Sequence, residues 1–185
     1  MKRIYIVLTY TGTVLSRLIK IYTKNEFSHV SISFDENLEQ MYSFGRLNAY
    51  NPFIGGFVHE GIHIGTFKRF KNTKTVIYSI NVTNEQYEKM VNIIKRIKQF
   101  EKTYKFNFIG LVAVSLHKRI HREHAFYCAE FVKYLLENAQ IENNLPDIIK
   151  PEDFLHLENI REEYRGYLRG YKVNSSKELS NVAKL

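Results

Sequence analysis

Tryptophan is absent, cysteine occurs once, and only 3 prolines and 9 glycines punctuate the 185 residues. One cysteine excludes an intramolecular disulfide and suits a reducing compartment. So little proline and glycine excludes a linker-rich or disordered chain. No internal repeat is visible, and no apolar run is long enough to span a bilayer. The run Ile4-Tyr5-Ile6-Val7-Leu8 follows Lys2-Arg3 but stops at Thr9-Tyr10-Thr11-Gly12 without a small-residue cleavage site, so it reads as a strand. The expectation is a cytoplasmic protein with no transmembrane segment.

What the chain does have is apolar and aromatic. Hydrophobic residues make up 44%, with 13 Tyr and 13 Phe, enough for a single domain with a real core over residues 1–173. From residue 174 to 185 apolar periodicity disappears, which predicts a flexible C-terminal tail. The net charge is +8, spread along the chain as on a solvated surface. Such a surface also attracts anionic partners. No zinc-finger spacing and no aromatic signature of an RNA-binding sheet accompany it, so no nucleic-acid partner is expected.

Periodicity predicts an α+β fold. Residues 3–9 form a strand, and residues 13–23 place Val14, Leu15, Leu18, Ile19 and Tyr22 on one helical face. Ser28 to Asp35 alternates, with His29, Ser31 and Ser33 on one side and Val30, Ile32 and Phe34 on the other; a turn at Asp35-Glu36-Asn37 joins it to a strand over residues 39–45. Residues 46–61, holding Asn51-Pro52 and Gly55-Gly56, read as a covering loop, with 51–61 a candidate lid. Strands are expected over 62–70 and 75–82. Thr83 and Gln86 form a capping box for a helix to about Glu101, with Tyr87, Met90, Val91, Ile94 and Ile97 inward. Residues 108–116 read as a short buried helix and 117–124 as a basic loop. Residues 127–139 form a helix with Cys128, Phe131, Val132 and Leu135 or Leu136 inside, and Pro151 opens a further helix.

A cysteine nucleophile must lose its proton and face its substrate, and the free N–H groups and dipole of a helix N-terminus help with both. Cys128 lies in the first turn of its helix. His29 lies on a polar strand face and is a candidate base. Taken singly, each reads more simply as a packed or satisfied residue.

Two segments add a resemblance. Phe27-Ser28-His29-Val30-Ser31-Ile32-Ser33-Phe34-Asp35, followed by Met41-Tyr42-Ser43-Phe44-Gly45, resembles the N-terminal hairpin of permuted NlpC/P60-type enzymes, the permuted papain-like amidases. Phe126-Tyr127-Cys128-Ala129-Glu130-Phe131-Val132 is similar to the family's nucleophile helix, and the His strand precedes the Cys helix as in permuted members. The resemblance covers roughly residues 3 to 155. It implies an antiparallel sheet or partial barrel packed against a Cys-bearing helix. It also implies Cys128 as nucleophile, His29 as base and acid, and the Cys128 backbone N–H as oxyanion donor. A third polar residue orients the imidazole. Some members carry Glu on the second hairpin strand; the aligned position here holds Ser43, with Glu39 and Glu60 as other candidates. Tyr10 is a further candidate oxyanion donor or packing residue.

Two histidine groupings suggest metal. His59-Glu60-Gly61-Ile62-His63 departs from the His-Glu-x-x-His helix pattern, with glycine inside it. His117, His121 and His124 are mixed with Lys118, Arg119 and Arg122, whose charge opposes a divalent ion. That segment instead suits a solvated loop, or one recruiting anionic substrate. No metal and no cofactor is expected. The expected function is a thiol hydrolase cleaving an amide, thioester or ester of a small peptide-like or acylated substrate, including anionic and lipid ones. Alternatives are a lipid acyltransferase or phospholipase-like enzyme of the same fold, and an inert binding module. Oligomeric state is left open.

Overall fold

Ile4 to Leu8 is an unbroken run of bulky apolar residues, and every one of them is buried, which makes strand β1 (Lys2–Tyr10) a central strand covered on both faces. The structure, a computed structural model, describes residues 1–13, 16–17, 26–48, 51–115, 118, 120 and 122–172. The expected helix over 13–23 lies outside these apart from Thr13, Ser16 and Arg17, of which Ser16 and Arg17 are helical. The expected C-terminal tail lies outside them too.

β1 pairs antiparallel with β2 (His29–Ser33) on one side and with β5 (Lys74–Val82) on the other. Strands β3 (Met41–Asn48), β4 (Asn51–Glu60) and β8 (Arg161–Tyr167) complete a six-stranded sheet in the order β4-β3-β2-β1-β5-β8, with every pairing antiparallel. Short strands β6 (Lys105–Phe106) and β7 (Ala125–Phe126) pair in parallel apart from it. The fold is α+β.

Alternation along the strands divides the core between the two faces. Ile4, Ile6 and Leu8 of β1, Val30 and Ile32 of β2, and Val76, Tyr78 and Ile80 of β5 belong to the larger cluster. It is completed by helices α2 (Asn84–Gln99) and α4 (Cys128–Asn138). The expected capping box closes α2, with Thr83 Oγ1 accepting from the Gln86 N–H. In α4 both Leu135 and Leu136 are buried, beside Phe131 and Val132. Tyr5, Val7, Met41 and Ile77 face the other way, onto Leu38, Ile62, Leu168 and Phe67 of helix α1 (Gly65–Arg69).

Four expectations are corrected. Residues 46–61 are not a covering loop: β3 runs on to Asn48 and β4 returns, with Gly45 opposite Gly56 and Phe57 buried. The glycines that read as turn punctuation mark close approach instead, since a Cβ on Gly55 would come within 2.8 Å of Phe106. The candidate lid over 51–61 is therefore strand. Residues 62–70 form a turn and α1 rather than a strand, and Gly65, with a left-handed φ of 53°, interrupts the extended run there. Helix α3 (Phe108–Ser115) buries Ala113 and Val114 but leaves Phe108, Ile109 and Val112 41%, 54% and 49% exposed, so it is not the buried helix expected. Pro151–His156 is a 3₁₀ helix, with proline in its first turn. No helix among the described residues is long and apolar enough to cross a membrane.

Candidate functional site

His29 opens β2. The Ser28 N–H donates to the Thr9 carbonyl (3.1 Å), and the register Thr9↔His29 fixes the imidazole against β1. Continuing the β2–β3 register, Ile32↔Tyr42 and Ser33↔Met41, brings His29 beside Gly45. A Cβ there would lie 3.2 Å from His29 Cε1. Glycine thus leaves the space the ring occupies. Phe67 of α1 lies under the ring, centroid to centroid 6.4 Å.

Glu60 ends β4. Both its carboxylate oxygens lie 3.1 Å from His29 Nε2, and the Ser31 hydroxyl donates to Oε2. The His29 and Glu60 side chains are only 20% and 12% exposed, so this ion pair is shielded from water. Burial works against the His29 cation. The Glu60 charge and hydrogen bond, with the Cys128 thiol nearby, outweigh it and push the imidazolium up to about 10. Burial likewise works against the Glu60 anion, and His29, Ser31 and the Arg46 charge bring its carboxyl below the ordinary value. His29 is therefore an imidazolium at neutral pH. With Nε2 committed to Glu60 and Ser31, Nδ1 is the nitrogen left to serve the thiol.

Cys128 is the first residue of α4. Tyr127 holds the extended cap position, with its hydroxyl donating to the Ile149 carbonyl (2.9 Å) and its N–H to Glu130 (3.3 Å). That anchoring fixes the start of α4, whose first N–H groups lack intrahelical partners. Cys128 itself is 5% exposed and lines a cavity of about 70 Å³ with His29 and Glu60. Hydroxyls of Thr11, Thr13 and Ser28 form part of the wall, and Phe67, Phe106 and Leu111 another part.

The other sequence candidates lie elsewhere. Ser43 is fully buried and donates to the Val30 carbonyl (2.7 Å), so the residue aligned as the third member does not touch the imidazole. Glu39 is exposed in the β2–β3 turn, where its carbonyl accepts from His59 Nε2 (2.8 Å). Tyr10 packs partly buried against the larger core and is not among the residues lining the cavity. His59 stacks on Tyr42 while Glu60 turns to His29, as neighbours on a strand must. They do not converge on one ion, and among the described residues no three potential ligands gather. His124 is exposed against the edge of Tyr104; His117 and His121 lie outside the described residues.

Sequence reasoning placed Glu60 in a loop and did not single out Arg46 or Phe67, which line the same cavity. Ser31 was visible only as a polar neighbour of His29 on the strand face. No known family model matches the chain, and a search of curated proteins gives no match.

Proposed function

We propose that the protein is a thiol hydrolase of permuted papain-like architecture, cleaving an amide, thioester or ester of a small acylated or peptide-like substrate. The observation that carries this reading is the succession Glu60, His29, Cys128, a carboxylate on one ring nitrogen and a cysteine at a helix N-terminus beside the ring. The Cys128 thiolate attacks the carbonyl carbon, and the developing oxyanion accepts from the Cys128 N–H. The bond from carbonyl carbon to the leaving heteroatom breaks, and His29 gives its proton to the departing group. Water then attacks the thioester and passes a proton to His29. The acid leaves and the thiolate is restored. Glu60 holds the imidazole in place and favours its charged form. The reading carries with it a cytoplasmic setting, where thiols stay reduced.

Acylation with p-nitrophenyl acetate, followed by intact mass, tests this. One acetyl group gained on Cys128, and nitrophenol release lost in Cys128→Ala, is the expected result. Release that is equal in the two proteins, with no adduct on Cys128, points instead to an inert binding module. A second reading, acyl transfer on a lipid, is favoured by the exposed Phe108, Ile109 and Val112 of α3 beside Leu111 and Phe106 of the cavity wall. It predicts turnover of acyl lipid in vesicles.

A further inference from the structure

Arg46 lines the same cavity as Cys128 and His29, next in sequence to the glycine that makes room for the imidazole. Its guanidinium is half-buried and lies 5.6 Å above the Phe70 ring. Arg69 lies over the same ring at 5.4 Å, so two guanidinium groups flank one aromatic side chain. Glu60, the only acid among the described lining residues, is already committed to His29 and Ser31. Among the described residues no hydrogen bond or ion pair engages Arg46. Burial disfavours the Arg46 cation, Glu60 supports it from a distance, and the Arg69 charge opposes it. Five N–H donors in a planar fork, steadied on a ring and left without an acid, match an oxyanion.

We infer that Arg46 is the anion subsite of this cavity, binding a carboxylate or phosphate group of the substrate while the substrate's carbonyl lies at Cys128. The inference rests on the thiol-hydrolase reading and narrows its substrates to anionic ones. The Ser28 hydroxyl, which also lines the cavity, supplies a further donor to such a group. The exposed Arg69, over the same Phe70 ring, adds positive potential that draws the anion in.

Iodoacetate and iodoacetamide form the same S–C bond with loss of iodide, and they differ in charge. The test is the ratio of their alkylation rates on the single cysteine, in wild type, Arg46→Gln and Arg46→Lys. The expected result is a wild-type ratio favouring iodoacetate, lowered about tenfold in Arg46→Gln and less in Arg46→Lys, on the scale of electrostatic capture. Saturable protection of the wild type by succinate or by inorganic phosphate needs no variant, and the stronger protector tells carboxylate from phosphate. A ratio equal in wild type and Arg46→Gln, with no protection by either anion while iodoacetamide still reacts rapidly, overturns the subsite alone. Slow reaction of the wild type with both reagents overturns the thiol-hydrolase reading and the subsite with it.

Discussion

His29 and Glu60 meet across an intervening strand. They stand on β2 and β4, with β3 between, and both carboxylate oxygens reach Nε2 at 3.1 Å. The gap they cross is Gly45, from which a Cβ would sit 3.2 Å from His29 Cε1 and 3.9 Å from Glu60 Oε1. A side chain at this one position would wedge the pair apart.

Gly45→Ala is accordingly expected to displace the imidazole by a few tenths of an ångström, and Gly45→Val by more. Iodoacetamide labelling of Cys128 should slow by roughly tenfold in the valine variant, since misplacement of about 1 Å at a reacting pair costs up to about a hundredfold. Comparing labelling with circular dichroism checks this. Slower labelling at unchanged secondary structure is the expected pattern.

The ion pair also fixes a pH window for stability. The His29 cation is favoured by the fold, so its contribution is complete below its ordinary value of 6.5 and drains away as pH rises towards about 10. The Glu60 carboxylate is favoured too, so its contribution is present above its ordinary value of 4.5 and is lost as pH falls through the lower folded value. The stability advantage of wild type over Glu60→Gln should be largest between about pH 4.5 and 6.5, about 3 kcal/mol for a broken shielded pair. It should shrink at pH 3 and at pH 9. Urea unfolding at the three pH values measures it.

Ser43 and Glu60 separate cleanly by their variants. Ser43→Ala removes one buried hydrogen bond to the Val30 carbonyl and should cost about 1 kcal/mol of stability with Cys128 reactivity retained. Glu60→Gln should lower that reactivity by about tenfold or more, as loss of a residue orienting a functional imidazole does. Alkylation kinetics beside thermal melts distinguish the two.

Phe131 holds α4, and with it Cys128, onto the sheet. Its ring lies 5.2 Å from Phe44 and 5.8 Å from Phe57. Phe131→Ala should cost about 3–5 kcal/mol, read from the urea midpoint.

Much of this arrangement was legible in the sequence where periodicity was strong. β1, β2, β5, α2 and α4 follow from apolar spacing and one capping box, and they place both Cys128 and His29. β4 was hidden because Gly55-Gly56 reads as a turn until Phe106 is seen pressing on it. Glu60 was consequently assigned to a loop, and its meeting with His29 is a register effect over three strands that local pattern does not encode. β8, Arg-Glu-Glu-Tyr-Arg-Gly-Tyr, was missed because an edge strand with little buried surface carries no apolar alternation. Arg46 reads as an ordinary surface cation until the cavity is formed around it.

The most direct test of an activated Cys128–His29 pair is iodoacetamide alkylation of Cys128 from pH 5 to 11, in wild type and His29→Ala, read by intact mass. The expected result is labelling at pH 6 that is faster than that of free glutathione, a change in rate near pH 10 where His29 loses its proton, and loss of both features in the variant. Labelling that tracks glutathione at every pH, and is equal in the two proteins, would contradict it.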